Sequence, residues 1–238
     1  MADIALETRG LTVRFGGVTA VDNVDFVLRQ NELRCLIGPN GAGKTTFFKC
    51  LTGLLKPASG EVYVGDQRTT GWDPHRVAGL GVGIKTQVPS VMDGLSVREN
   101  IWLGARRRRG SVDAARQVST LIERLDLGRV AQSLVGRLAH GERQRVELAS
   151  VLAGDPWLVL LDEPAAGMTG AEVEMMAALI RDMNKTMTIV VVEHDMQFIR
   201  QIAGLVTVFY QGAILVEDEV GAVMSDARVR DVYLGKKG

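Results

Sequence analysis

The sequence predicts an α/β fold with a mixed sheet, an antiparallel β subdomain and an inserted helical subdomain. Short apolar or β-branched runs recur along the 238 residues. The first of them, such as LTVRF and VDFVL, are spaced like hairpins of an antiparallel sheet. Later runs, notably WLVLLD and TIVVVE, stand alone between helical patterns, as central parallel strands buried on both faces do. A hydrophobic content of 46% is ample for a core.

A charged, helical segment interrupts the strands at residues 90–154. No internal repeat, proline-rich linker or low-complexity tract divides the chain, so we predict one domain over residues 1–238. The catalytic core and the antiparallel β subdomain would occupy residues 1–89 and 155–238, and the helical subdomain the segment between them. The apolar positions at helical spacing in that segment include Ala115, Val118, Ile122 and Leu125.

Charge and cysteine content exclude several classes of protein. Lys and Arg together number 28, as do Asp and Glu, so no overall field attracts nucleic acid or an anionic membrane. Cys35 and Cys50 lack metal-ligand spacing, and we expect core thiols in a reducing cytoplasm. No signal peptide is evident, and the longest apolar runs fall far short of the roughly 20 residues that span a bilayer. We therefore expect a chain that is soluble by itself.

A glycine-rich stretch, GPNGAGKT, occupies residues 38–45 between the apolar run LRCLI and a helical pattern. It fits GxxxxGK[ST] in the strand–loop–helix context that a phosphate-binding loop requires. Its glycines let backbone amides converge on phosphates, Lys44 reaches the terminal oxygens, and Thr45 offers a hydroxyl to Mg²⁺. We predict the core of a P-loop NTPase.

Polar side chains follow two of the predicted central strands. Asp162 and Glu163 end WLVLLDEP, and strand alternation would send them in different directions. Asp162 could then hold the magnesium shell while Glu163 polarises the attacking water. His194 lies just beyond VVVE, at the end of a strand where parallel sheets bind ligands. There it can donate a hydrogen bond to a γ-phosphate oxygen.

Two further candidates carry less information by themselves. Gln87 follows another strand and precedes the helical segment, where an amide could sense magnesium or water. Phe15 stands before two glycines. It could stack on adenine, or it could equally be a core residue at the end of a strand.

The stretch LAHGERQ, residues 138–144, begins an amphipathic helix without a good capping residue. Neither Ala139 nor His140 is among the residues that usually satisfy the first free amides of a helix. Those amides are therefore available to a ligand, and an anion is the natural one.

Taken in order, the phosphate loop, Gln87, LAHGERQ, LLDEP and EHD resemble the ATPase subunit of an ABC transporter over essentially the whole chain. In that family LAHGERQ stands where the signature, commonly LSGGQ, is found. The resemblance implies that two subunits sit head to tail. The signature helix of one subunit then presents its N-terminus to the γ-phosphate held by the other.

The resemblance also implies roles for individual residues, with ATP and Mg²⁺ as cofactors. Glu163 would be the general base and His194 the switch histidine, with Lys44 and Gln87 also catalytic. The metal would be held by Thr45, Gln87 and Asp162. The nucleotide would contact Phe15, Gly38, Pro39, Asn40, Gly41, Ala42, Gly43, Lys44, Thr45 and Thr46 and, in trans, Ala139, His140 and Gly141.

The chain departs from the family pattern in two places. Ala139 replaces the signature serine, and a hydrogen bond to a charged group is typically worth about 1.5 to 3 kcal/mol, or roughly 10- to 100-fold. His140 replaces a glycine, although its ring is a donor that could partly substitute. In AAGMT, Thr169 stands where many members have aspartate, which places the communication between the two ATP sites in question.

The stretches EPAAGM, EHDM and DVYLG resemble the ATP-binding subunits of branched-chain amino acid and urea importers, and LAHGE with AAGMT looks closer to the urea branch. This implies a second ATPase subunit, either a different chain or a second copy, with two transmembrane permease subunits and a substrate-binding protein. The chain would lie at the cytoplasmic face of the membrane. Residues 88–104 would face the coupling helix of the permease.

Two alternatives remain open from the sequence. One is an ABC ATPase that acts on ribosomes or nucleic acid, for which RRRRG, residues 106–110, is the one basic block. No aromatic residues interleave with that block, so we expect a solvated face and no nucleic-acid partner. The other is a low-activity nucleotide-binding half of a heterodimer, which Ala139 supports and Glu163 and His194 oppose.

Overall fold

The computed structural model describes residues 3–88 and 90–234, and the strands in these ranges form two sheets. The first is antiparallel in the order β2-β1-β4-β5, and the second has the order β10-β9-β3-β8-β7-β6, parallel except for the β9–β10 pair. This confirms the predicted α/β class. The strands are β1 (Ile4–Phe15), β2 (Val18–Arg29), β3 (Leu33–Ile37), β4 (Ser59–Val64), β5 (Gln67–Arg68), β6 (Val82–Lys85), β7 (Leu158–Asp162), β8 (Thr188–Val192), β9 (Leu205–Tyr210) and β10 (Ala213–Glu219).

Helices connect the parallel strands, and three of them fall in residues 90–154, where the sequence predicts a helical segment. The division into a core and a helical subdomain stays a prediction. The helices are α1 (Lys44–Leu51), α2 (Pro74–Gly79), α3 (Val97–Arg106), α4 (Ser111–Arg124), α5 (His140–Leu152), α6 (Gly170–Asn184), α7 (Met196–Ile202), α8 (Val220–Ser225) and α9 (Ala227–Leu234).

Strand alternation divides the core between the two faces of the mixed sheet. Leu33, Cys35 and Ile37 of β3 pack on the side of α3 to α7, whereas Leu36 packs on the side of α1 and the antiparallel sheet. Both faces of the central strands are therefore covered, which explains why their sequences are apolar throughout. Cys35 and the helical Cys50 are buried free thiols, as predicted.

Helix α4 buries a face that differs slightly from the predicted one. Val118, Ile122 and Leu125 are buried, but Ala115 is exposed and Ala114 takes its place. Helical spacing alone is compatible with either alanine. The packing of α4 against α3 decides which one is covered.

Four loops that follow parallel strands meet at one edge of the mixed sheet. β3, β8, β7 and β6 are consecutive neighbours, and they lead into residues 38–43, 193–195, 163–169 and 86–88. Carboxyl ends of parallel strands are where α/β folds bind ligands. No helix within the described ranges is both long and apolar enough to cross a bilayer.

Candidate active site

The loop between β3 and α1 is shaped by three glycines that have positive φ angles. Gly38, Gly41 and Gly43 have φ of 146°, 79° and 104°. A Cβ at Gly38 would overlap the carbonyl of Phe209, and one at Gly43 would overlap the carbonyl of Ala20. At Gly41 a Cβ would meet nothing within 4 Å. The loop is thus packed from behind and open in front, as a phosphate cradle has to be.

The first amides of α1 lie in this cradle. Gly43 is the N-cap and provides no side-chain cap, and the amides of Lys44 and Thr45 find no acceptor among the described residues. The ammonium of Lys44 donates to the carbonyls of Gly38 (2.6 Å) and Pro39 (3.1 Å). Uncapped amides and a lysine together form a site for an anion.

Lys44 also faces the carboxylates at the end of β7. Burial lowers its pKa, and the charges of Glu163 and Asp162 oppose that shift. The three side chains therefore belong to one electrostatic cluster, which the sequence predicts from two motifs that lie more than 100 positions apart.

Asp162 is 3% exposed, and its Oδ1 is buried with no hydrogen-bond partner in the part of the chain that the structure describes. Burial is the largest of the effects that raise the pKa of Asp162 to about 6, and the negative charge of Glu163 raises this pKa further. A buried carboxylate oxygen without a donor is suited to ligate a cation. Residues 3–88 and 90–234 hold no group of three His, Cys, Asp or Glu able to bind a metal. Mg²⁺ would therefore need Thr45, phosphate oxygens and water as well.

Glu163 does not continue β7, so the predicted alternation along the strand is wrong. The strand ends at Asp162, and Glu163 adopts a left-handed backbone with φ 47°. Its amide donates to the carbonyl of Val192 at 2.9 Å. The chain turns at Glu163, and the carboxylate of Glu163 lies 3.3 Å from Nδ1 of His194.

Glu193 is not among the residues predicted from the sequence. This residue follows β8, is 2% exposed, and accepts hydrogen bonds from the amides of Ala165 (3.3 Å) and His194 (3.0 Å). The available signal is a carboxylate at the end of an apolar strand, next to the predicted site residue His194. The side chain contacts both loops that carry the predicted catalytic residues.

Gln87 and Phe15 are exposed, and the amide of the Gln87 side chain forms no hydrogen bond within the described ranges. Gln87 follows β6 at the same edge of the sheet as Asp162. Phe15 ends β1 and is 52% exposed, so it is not a core residue. Its ring is free to stack on a planar ligand.

Helix α5 begins at His140, and its N-cap residue Ala139 provides no side-chain cap, as predicted. The amides of residues 140–142 find no acceptor in the described part of the chain. Nε2 of His140 lies 2.8 Å from the carbonyl oxygen of Ala166 and 3.2 Å from Nε2 of Gln144. The ring that we expected to substitute for a signature donor is therefore engaged with the loop of its own chain.

Two close approaches complete this contact. Gly167 has φ 71°, and a Cβ there would lie 3.0 Å from Nε2 of His140. A Cβ at Gly141 would overlap the carboxylate of Glu172, which caps α6 by accepting from the amide (2.9 Å) and hydroxyl (2.8 Å) of Thr169. The start of α5 and the loop after Glu163 are therefore closely packed.

Comparison with known proteins assigns the family. The ABC transporter family model matches residues 21–166. LivG of Escherichia coli (strain K12), a high-affinity branched-chain amino acid transport ATP-binding protein, is 33% identical, with 99% of this chain and 100% of LivG covered. BraF of Pseudomonas aeruginosa, which carries the same description, is 31% identical over 97% of this chain and 98% of BraF.

A third relative, the uncharacterised ABC transporter ATP-binding protein YphE of E. coli, is 37% identical over 84% of this chain, which spans 42% of YphE. Among solved structures, the ADP conformation of MJ1267, an ATP-binding cassette of an ABC transporter, has a TM-score of 0.87 at 25% identity. That alignment covers 98% of this chain and 99% of the cassette. The chain therefore belongs to the ABC transporter family and is an ATPase subunit of a transporter.

Proposed function

We propose that this chain binds and hydrolyses MgATP to drive an importer of branched-chain amino acids or urea. One observation carries the proposal: Lys44, Asp162, Glu163 and His194 meet at one edge of the parallel strands, beside a loop with unpaired amides. The names of LivG and BraF support the amino acid group. The stretches LAHGE and AAGMT support urea as the transported substrate, because they resemble the urea branch of this importer group as described above.

The roles follow from the positions of the side chains. Lys44 would exchange its two loop carbonyls for phosphate oxygens, and Thr45, Gln87 and Asp162 would hold Mg²⁺. When bound, the metal neutralises phosphate charge. Glu163 orients the attacking water and accepts its proton.

His194 completes the arrangement on the γ-phosphate side. Its ring is 60% exposed, and its Nδ1 lies close to Glu163. In that position a ring N–H of His194 can donate to a γ-phosphate oxygen. The exposed Phe15 ring stacks on adenine, since a planar base needs a free aromatic face.

A second cassette supplies the remaining contact. The amides of residues 140–142 find no acceptor in the described part of the chain, and together with the positive end of the helix dipole they favour an anion such as the γ-phosphate bound by the partner cassette. Ala139 lacks the hydroxyl that would add a bond, so ATP-driven closure is weakened without being lost. The second cassette could be a different chain or a second copy of this chain, since either would supply a bound γ-phosphate to these amides.

A groove of about 500 Å³ between β6, α3 and the end of α5 supports the permease contact. Its rim includes Met92, 58% exposed, and Leu103, 41% exposed, both within the segment expected to face the permease. We infer that a cytoplasmic helix of a permease subunit docks there. The chain would then be held at the cytoplasmic face of the membrane.

Substitution of the proposed base tests the hydrolytic role. In the transporter assembled with its permease subunits, Glu163→Gln should reduce ATP turnover by about 10²- to 10⁴-fold, the usual contribution of a general base. MgATP should still bind, because the cradle is unchanged. Glu174→Gln, on the exposed side of α6, is the matched control and should leave turnover unchanged. Unchanged turnover in Glu163→Gln would place hydrolysis in the partner and favour the low-activity alternative.

A second substitution tests docking. Leu103→Asp should abolish copurification with the permease subunits and leave ATP binding intact. Val112→Asp, on the 71% exposed start of α4, is the control for added surface charge. Equal copurification of both variants would remove the groove from the permease interface.

The basic block offers little support for the nucleic-acid alternative. Arg108 donates to the carbonyl of Gly79 (3.0 Å), while Arg109 donates to the carbonyl of Ala153 (3.0 Å) and pairs with Asp155. Two of the four arginines therefore brace the fold, and Arg109 is only partly exposed. Salt-sensitive RNA binding by the purified chain would revive that alternative.

A further inference from the structure

Glu193 is a buried carboxylate directly after β8. It is 2% exposed, and no lysine or arginine in residues 3–88 and 90–234 forms an ion pair with it. Acidic side chains are rarely so buried without a cation, because the charged form loses its hydration. Burial raises the pKa of Glu193, and neighbouring backbone amides oppose that shift. The carboxylate therefore depends on hydrogen bonds.

Those bonds come from two different loops. Oε1 accepts from the amide of Ala165 at 3.3 Å, and Oε2 accepts from the amides of His194 at 3.0 Å and Asp195 at 3.5 Å. Nδ1 of His194 also lies 3.9 Å from Oε2. One buried side chain thus joins the loop after Glu163 to the start of the loop that carries His194.

The loop after Glu163 needs such a restraint. Glu163 adopts φ 47°, a left-handed conformation that costs a residue with a Cβ about 1 to 2 kcal/mol. Only surrounding contacts hold a backbone in that state. The amide of Glu163 is held by Val192, and the next anchored amide along the loop is that of Ala165, which Glu193 binds.

We propose that Glu193 is a positioning residue that holds Glu163 and His194 at their 3.3 Å separation during ATP hydrolysis. This inference rests on the proposed function, in which Glu163 is the base. Because Glu193 is buried, it acts through these two residues and does not touch the nucleotide. The bond to the Ala165 amide anchors the loop that follows Glu163, and the bond to the His194 amide anchors the start of the neighbouring loop.

The test is Glu193→Gln in the assembled transporter, with ATP turnover and MgATP affinity measured separately. The amide keeps the shape but turns one acceptor into a donor that faces backbone N–H groups. We expect kcat to fall roughly 10- to 100-fold, the factor for loss of a hydrogen bond to a charged group. MgATP affinity should stay within about twofold, since the cradle residues are untouched. Glu174→Gln again serves as the control.

A double-substitution cycle separates positioning from a general loss of stability. If Glu193 acts through Glu163, then Glu193→Gln should have no further effect on residual turnover in the Glu163→Gln background. Hydrogen exchange should quicken at residues 163–169 and 193–195 and stay unchanged in α1. If Glu193→Gln does not fold, Glu193→Asp, which keeps the charge but shortens the reach, is taken through the same cycle.

The outcomes distinguish the two proposals. Full turnover in Glu163→Gln would overturn the proposed function. Loss of turnover in Glu163→Gln, together with wild-type kcat in Glu193→Gln, would overturn only the positioning role. Additive losses both with Glu163→Gln and with His194→Ala would also overturn it, because they would show an effect independent of the two residues that Glu193 positions.

Discussion

Helices α1 and α5 both begin without a side-chain cap, yet the chain builds the two starts in different ways. At α1, Gly43 takes a positive φ and packs against the backbone of Ala20, so the amides are placed by backbone shape. At α5, Ala139 has an ordinary extended backbone, and His140 ties the first turn to Ala166. The first site is packed against the backbone of neighbouring strands, whereas the second depends on a side-chain contact with a neighbouring loop.

The largest expected effect is at the start of α1, where the backbone conformation of Gly43 places the amides. Gly43→Ala adds left-handed strain of about 1 to 2 kcal/mol and an overlap of about 1 to 3 kcal/mol with a carbonyl that cannot move freely. We expect the free energy of unfolding to fall by about 2 to 5 kcal/mol in total, and MgATP binding to weaken. Urea denaturation and equilibrium binding measure the two effects.

Gly41→Ala is the matched control within the same loop. Its Cβ would meet nothing within 4 Å, so only the strain of about 1 to 2 kcal/mol applies. If both substitutions lower the free energy of unfolding by the same amount, the close approach of Gly43 to the carbonyl of Ala20 does not contribute to stability. The contrast with α5 would then lose its basis.

An intermediate effect is expected at the α5 start. Ala139→Ser restores a hydroxyl at the N-cap, where serine stabilises a helix by about 0.5 to 2 kcal/mol relative to alanine. In the assembled transporter it also offers a donor to the partner's γ-phosphate, worth about 1.5 to 3 kcal/mol. We expect ATP-driven closure or turnover to rise roughly 10- to 100-fold.

Gly110→Ser controls for capping alone. Gly110 is the N-cap of α4, has no side-chain cap and has open space around it. Serine there should change stability by only a few tenths of a kcal/mol and leave turnover unaffected. An equal change in turnover in both variants would contradict a phosphate contact at residue 139.

The smallest expected effect concerns the contact between His140 and the loop at Ala166. His140→Ala removes the contact with Ala166, and an exposed hydrogen bond contributes about 0.5 to 1.5 kcal/mol. Hydrogen exchange should quicken at residues 165–169 and remain unchanged in α1. Unchanged exchange at the loop would show that the histidine does not hold it.

Much of the site could be predicted because its signals are local in sequence. The cradle needs glycines and a lysine in a fixed order between a strand and a helix, and Asp162, Glu163 and His194 follow strands that are apolar throughout. Local signals could not show that β7 ends before Glu163. The amide of Glu163 still donates to Val192 of the neighbouring strand, but its backbone has φ 47°, and that conformation is fixed by the surrounding structure and not by the local sequence.

Side chains without a local pattern were missed for the same reason. Lys85 and Glu147 are each 2% exposed in side chain and lie 3.6 Å apart, although they come from β6 and α5. Burial lowers the pKa of Lys85 and raises that of Glu147, while each charge opposes the shift of the other. Only packing α5 onto the sheet pairs them, so neither residue stands out in the sequence.

By itself, the sequence determined the α/β class, the glycine-rich loop before α1, the uncapped α5 and the strand-end carboxylates, because these depend on backbone conformation and hydrophobic periodicity over a few residues. Tertiary structure alone decided the turn at Glu163, the burial of Glu193 beneath two loops and the contact of His140 with Ala166. Those features depend on hydrogen bonds between segments more than 25 residues apart, and their geometry exists only once the sheet and helices have packed.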